Sequence, residues 1–209
     1  MTAGLLRDDI FEGMDPNVGV TGKPGSTKAR IERAALQLFA QHGLDGVSIK
    51  QIARACAISD GAMYRHFASK ETLARIMFQA IHRKLMEMVA GHLDPDASLE
   101  DTARALVTAY CNLADQDPAQ FTYHLAHRNA FIASTGDGGA NPSNLMTACV
   151  EDAMARGEIP TGDAELKSAM ALGVVMQAAE YSLYGRIEKP LSEHIENFVR
   201  AIMAVLRTA

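Results

Sequence analysis

From Thr27 onward the apolar residues recur at helical spacing, and nowhere do they show the strict alternation of a half-buried strand. Ile31, Ala35, Leu38 and Phe39 fall at i, i+4, i+7 and i+8, one face of a helix that Thr27 caps and Gly43 closes. A short second helix is expected from Ser48 to Ala55, with Ser48 as N-cap and Ile49, Ile52 and Ala53 turned inward. Ala57-Ile58 makes a tight turn into a third short helix, Ser59 to His66, capped by Ser59. Ser69 then opens a longer fourth helix that buries Leu73, Ile76, Met77, Ala80, Ile81, Leu85 and Met88 before Gly91 ends it.

The same pattern recurs further on with different punctuation. After a loop at His92 to Asp96, Ser98-x-x-Asp101 reads as a capping box opening a fifth helix to Asp115. Asp117-Pro118 starts a sixth that runs to Ser134, and Ser134 to Ser143 (STGDGGANPS) is the most flexible internal stretch. Asn144 to Arg156 forms a seventh helix. Asp163 to Gly185 and Ser192 to Thr208 form the last two, parted by Lys189-Pro190. The chain is therefore expected to be all-α, with about nine helices. Residues 1–25, holding five glycines and two prolines without a period, read as a flexible tail. Residues 26–72 read as a compact N-terminal domain and 73–209 as a larger helical body.

At 209 residues with 48% apolar and 22% charged positions, the chain can build a large core. No stretch approaches the ~18 uninterrupted apolar residues of a membrane helix. Met1 to Asp9 carries no apolar signal segment, and three cysteines without a Cys-x-x-Cys pair argue against a disulfide framework, so a cytoplasmic protein is expected. The net charge of −5 conceals a segregation. Thr21 to Lys84 holds eleven Lys and Arg against four acids, a net +7, which leaves −12 on the remainder. A basic module on an acidic body suggests that one part meets a polyanion and the other does not.

Two short helices joined by a tight turn are the helix-turn-helix, placed here at about residues 48–67, whose second helix enters the major groove. Ala55, Cys56 and Ala57 are small enough for two backbones to approach steeply, and Ile58, Met63 and Phe67 point inward. Ser59, Asp60, Ala62, Tyr64, Arg65 and His66 are left on the outer side, and Gly61 lets backbone approach nucleic acid closely. The run from Ser48 to Leu73 resembles the DNA-binding segment of the TetR family of bacterial transcriptional regulators. The resemblance rests on Ile52-Ala53, Ile58-Ser59, Gly61, Tyr64, His66-Phe67, Lys70-Glu71 and Leu73, preceded by Phe39-x-x-x-Gly43. The family usually has glycine where Ala57 stands, so Ala57 is strained if its φ is positive, and it often has threonine where Ser48 stands. The resemblance implies that Ser48, Tyr64, His66 and Lys70 contact phosphates, and that Ser59, Asp60, Gly61, Ala62 and Arg65 lie in or beside the groove. Arg65 is the candidate for bidentate contact with guanine. Asp60 either accepts from a cytosine amino group or supports its helix N-terminus, and the second role is favoured.

A helix-turn-helix this small needs a second copy about one turn, ~34 Å, away. The last helix offers Ile195, Phe198, Val199, Ile202, Met203 and Leu206 at helical spacing, and the helix before it offers Leu166, Met170 and Val174. Two such helices from each of two chains would close a four-helix dimer interface, which the resemblance also implies. The middle helices are expected to enclose a small-molecule effector. Its candidate lining is Tyr110 on the fifth helix and Phe121, His124, His127 and Phe131 on the sixth. Met146 and Cys149 on the seventh helix and Gln177, Glu180, Tyr181 and Tyr184 on the eighth complete it. No metal or cofactor is expected: His124 and His127 stand three apart without a nearby carboxylate or thiol to complete a site. The reading is a homodimeric regulator of double-stranded operator DNA, a repressor released by an effector. Its rivals are an effector-free protein of chromosome or replication control and a helical enzyme, the latter disfavoured because no nucleophile–base pair or phosphate-binding glycine loop occurs.

Overall fold

The computed structural model describes residues 21–94, 96–131 and 142–208, and among these every regular element is a helix. They are α1 (Thr27–His42), α2 (Ile49–Ala55), α3 (Asp60–His66), α4 (Lys70–Gly91) and α5 (Leu99–Gln116). After them come α6 (Pro118–Phe131), α7 (Pro142–Ala155), α8 (Ala164–Leu183) and α9 (Ile195–Leu206), with a 3₁₀ turn at Leu191–His194 leading into α9. The final helix is thus shorter than the expected 192–208, because its first turn is wound as 3₁₀ after Pro190. The flexible stretch expected at 134–143 lies outside the described residues except for Pro142 and Ser143, which open α7.

Side-chain caps fix most helix starts. Ser26, not Thr27, caps α1: Ser26 is extended and its Oγ accepts the Ala29 N–H at 3.2 Å, while Thr27 is already helical. Ser48 and Gln51 form a reciprocal capping box on α2, with Gln51 N–H donating to Ser48 Oγ and Ser48 N–H to Gln51 Oε1 at 2.7 Å. Ser59 caps α3, and Ser98 accepts from Asp101 N–H at the start of α5. Asp117 caps α6 through Gln120 N–H, and Asp163 caps α8 through Leu166 N–H.

The described residues fall into two compact units. One runs up to Lys84 and also takes in α6; the other joins Leu85–Asp115 to α7, α8 and α9. In the first unit Ile31, Ala35 and Phe39 of α1 meet Ile52 of α2, Met63 of α3, and Leu73, Met77 and Phe78 of α4 in one core, which Ala119 and Tyr123 of α6 complete. The Tyr123 hydroxyl donates to the Ala74 carbonyl at 2.8 Å, so this buried phenol is satisfied. Of the tail expected at residues 1–25, positions 1–20 lie outside the described residues. Thr21 and Gly22 are held: their N–H groups donate to the buried Glu32 carboxylate at 2.8 and 2.9 Å, and the Thr21 hydroxyl does the same.

In the second unit α8 packs against α7 and α9. Lys167 is buried in α8, and its ammonium donates to the carbonyls of Leu206 (3.0 Å) and Thr208, capping the C-terminus of α9. Asp115 accepts the Leu191 and Ser192 N–H groups at 2.9 and 3.0 Å, which fixes the 3₁₀ turn, and Arg104 pairs with Glu196.

Candidate nucleic-acid interface

Two backbone bonds close the corner between α2 and α3. Ala57 N–H donates to Arg54 O at 3.0 Å and Ile58 N–H to Ala53 O at 3.1 Å, the paired bonds of a Schellman turn. The left-handed position of that turn is Ala57, at φ 52°, so the strain that its side chain implied is present. Arg30 of α1 buttresses the corner from inside, its guanidinium donating to the Cys56 carbonyl while the Cys56 thiol donates to Arg30 O at 3.4 Å.

With the corner fixed, α2 and α3 sort their residues by face. Ile52, Ala53, Met63 and Phe67 are buried, and Ile49 and Ile58 pack against the same core. Ser48, Ser59, Asp60, Gly61, Tyr64, Arg65 and His66 are exposed, Tyr64 by 53%, and Ala62 and Lys70 are half-buried. All nine side chains or backbones singled out for DNA therefore reach the surface of one unit. Asp60 occupies the first turn of α3, where its charge suits the positive helix end, and Arg65 and His66 occupy the last turn. A Cβ placed on Gly61 would meet nothing within 4 Å, so the chain's own packing does not demand glycine there.

Beside this face lies a cleft of about 440 Å³, lined by Asp45 to Ile49, Gln51, Tyr64 and Ala68 to Glu71. It brings together three of the four residues assigned to phosphates: Ser48, Tyr64 and Lys70. The fourth, His66, is exposed on α3 outside the lining. Lys70 is not simply a free cation here. Its ammonium donates to the carbonyls of Leu44 at 2.9 Å and Val47 at 3.0 Å, leaving one N–H for a further partner. Gln51 also enters the cleft without having been singled out; Ser48-x-x-Gln51 was the signal for it.

Residues 31–76 match the family described as bacterial regulatory proteins, tetR family. The chain carries a TetR-family helix-turn-helix domain. It is 43% identical over 60 residues to the transcriptional regulator UidR of Escherichia coli, covering 28% of this chain and 31% of that protein. It is 37% identical over 97 residues to the transcriptional repressor KstR2 of Rhodococcus jostii, covering 44% of this chain and 45% of the relative. The chain thus matches less than half the length of these curated relatives, which are transcription regulators and not enzymes. The fold agreement reaches further. A TetR-family regulatory protein from Rhodococcus superposes with a TM-score of 0.77 over 88% of this chain and 99% of that one, at 20% identity. KstR2 of Mycobacterium tuberculosis superposes with a TM-score of 0.74 over 91% of this chain and 100% of its own, at 16% identity. The all-helical architecture, a helix-turn-helix domain followed by a helical body, is that of TetR-family structures.

The candidates for a ligand chamber divide between the two units. In the first, Phe121, His124, His127 and Phe131 of α6 are buried or half-buried. His124, His127 and Phe131 belong to a ladder of rings that sequence reading did not foresee, because Phe39 of α1 and Phe78 and His82 of α4 join Tyr123 of α6 in it. Tyr123 and His127 lie 4.4 Å apart, Phe78 and His124 5.1 Å, and Phe78 and Phe131 5.5 Å. His82 Nδ1 and His124 Nε2 are 3.3 Å apart. Burial, then the charges of His82 and Arg128, push His124 down to about 4, and burial likewise lowers His127. Among the described residues no group of three His, Cys, Asp or Glu is placed to hold a metal.

In the second unit Tyr110, Met146 and Cys149 are half-buried, whereas Gln177, Glu180 and Tyr181 lie on the exposed face of α8, with Tyr184 exposed at its C-cap. There Gln177 Nε2 and the Tyr184 hydroxyl both donate to Glu180, and the Arg186 guanidinium sits 4.5 Å over the Tyr181 ring. These four are surface residues. The candidates for self-association also need correction. Val199, Ile202, Met203 and Leu206 are 6% exposed or less, filling this chain's own α8–α9 core, so they have no surface to offer a partner. Val174, Ile195 and Phe198 are half-buried; Leu166 and Met170 stand out at 56% and 39% exposed.

Proposed function

We propose that the chain is a cytoplasmic transcription regulator that binds palindromic double-stranded DNA as a homodimer and is released by a small-molecule effector. One observation carries the DNA reading: in a basic unit, every residue needed to meet DNA stands on the surface of one helical corner, while Ile52, Ala53, Met63 and Phe67 between them are locked in the core. Arg65 at the exposed end of α3 reads a guanine, while Ser48, Tyr64, His66 and Lys70 hold phosphates; the groove-facing positions Ser59, Gly61 and Ala62 keep the backbone close. Asp60 braces the start of α3. Repression follows the sign named for KstR2. Among the described residues no helix is long and apolar enough to cross a membrane. Effector release works through α4, whose residues are shared between the two compact units, Lys70–Lys84 in the first and Leu85–Gly91 in the second. A shift of its axis by a few ångströms would spoil simultaneous engagement of two half-sites, for a coupling of ~1–3 kcal/mol.

Selection of bound duplexes from a random pool tests this directly. A palindrome with half-sites about one turn apart is expected, and Arg65→Ala should relax preference at one base position in each half-site. A purified chain that retains no duplex at low ionic strength overturns the reading.

A further inference from the structure

We infer that Lys70 is a positioning residue as well as a phosphate contact: it ties the first turn of α4 to the backbone that presents the α2 N-terminus. The inference rests on the DNA-binding reading above and adds a route by which α4 reaches the DNA face. Within the connection from α1 to α2 the backbone's own turn bond, Val47 N–H to Leu44 O, is long at 3.4 Å. Gly46 is wedged against α1, where a Cβ would lie 2.3 Å from His42 O, so the segment is crowded on one side and cannot fold back further. The Lys70 ammonium closes the other side with charge-assisted bonds to Leu44 O and Val47 O at 2.9 and 3.0 Å.

The carbonyl that Lys70 grips belongs to Val47, whose side chain is buried and whose next residue is Ser48, the N-cap of α2. Ser48 shares the cleft with Tyr64 and Lys70 itself. A displacement of the α4 N-terminus is therefore delivered through a two-bond grip to the residue assigned to a phosphate, not through a long chain of packed side chains. A lysine serving only as a phosphate ligand would have no reason to spend two of its three donors on this turn.

The test uses the full chain with Lys70→Met, which keeps the stem and removes the donors, and Lys70→Arg, which restores donors. Amide exchange is followed without DNA, and affinity for the selected duplex is followed against salt. In Lys70→Met the amides from Val47 to Ile52 should exchange at least about tenfold faster while those of α1 from Ala29 to Ala40 stay unchanged, and Lys70→Arg should restore protection. The affinity losses of Lys70→Met and Ser48→Ala should be less than additive, because a misplaced Ser48 costs nothing once its hydroxyl is gone. Unchanged exchange, additive losses and a salt slope reduced by about one would reduce Lys70 to a phosphate ligand and overturn the inference. If the unaltered chain binds no duplex, the DNA reading fails by itself, and the exchange measurement still decides whether Lys70 holds the turn.

Discussion

An L-residue in the left-handed region crowds its own Cβ against the neighbouring carbonyl, at about 1 kcal/mol. Ala57 accepts that crowding at φ 52°, whereas the equivalent turns after α7 and α8 use Gly157 and Gly185 at φ 74° and 66°. Ala57→Gly should therefore stabilise the chain, though by no more than about 0.5–1 kcal/mol, since glycine also gains freedom in the unfolded state. A lower urea midpoint in that variant would show that the corner relies on the methyl group for packing. His124 makes the opposite kind of prediction, one about pH. Its folded value of about 4 lies below the ordinary histidine value of 6.5, chiefly because burial disfavours the imidazolium. Above pH 6.5 both folded and unfolded chains carry it neutral and it imposes no penalty. As pH falls from 6.5 towards 4 the unfolded chain takes up a proton that the folded chain refuses, so stability declines through that window by up to a few kcal/mol. Urea midpoints between pH 7 and 4.5 should fall, and His124→Phe should flatten that part of the decline, Phe78 offering the replacement ring a stacking partner.

Helices of seven residues such as α2 and α3 do not persist alone, so their ends and their inward faces must both be specified. Those local devices are what the sequence makes legible. Ser48, Ser59 and Ser98 announce their caps, Gly43 its stop, and the i, i+3, i+4 spacing of Ile49, Ile52 and Ala53 its buried side. Where two hydroxyls are adjacent, as at Ser26 and Thr27, spacing cannot say which one leaves the helix, and the cap lies one residue earlier than expected. Contacts between distant segments leave no periodic trace. Nothing in the α6 sequence says that Ala119 and Tyr123 complete the first unit's core, nor that Glu32, a buried acid on α1, waits for Thr21 and Gly22 eleven and ten residues earlier. That carboxylate accepts two backbone N–H groups and a hydroxyl, with the Lys28 ammonium 3.8 Å away. Glu32→Gln puts a donor where one acceptor stood and should cost about 1–3 kcal/mol. Faster amide exchange at Gly22 should accompany that loss. Unaltered exchange at Gly22 would mean that this arm is held by something other than the carboxylate.

Across the molecule the segregated charge, +7 on residues 21–84 and −12 elsewhere, marks which part would meet DNA in the proposed reading but not how two copies would be held at one span. The amphipathic period of α9 marks a covered face but not its partner: Val199, Ile202, Met203 and Leu206 are already buried within the single chain, where α9 packs against α8. The apolar surface left for a second copy is on the outer side of α8. Leu166, Met170, Tyr181 and Tyr184 recur there at close to whole turns of the helix, each 39% exposed or more. A charge placed on that stripe keeps access to water in a single chain but would be desolvated between two. Leu166→Glu and Met170→Glu should thus leave the urea midpoint of the isolated chain within about 0.5 kcal/mol and still convert a sedimenting dimer to monomer. Binding to a palindromic duplex should then fall to that of a single half-site, because the second contact loses its tether. Val199→Glu, placed in the α8–α9 core, should instead unfold the chain. If the Leu166 and Met170 variants sediment as the parent does, the two copies are joined by some other surface, and the spacing of the reading heads must be derived from there.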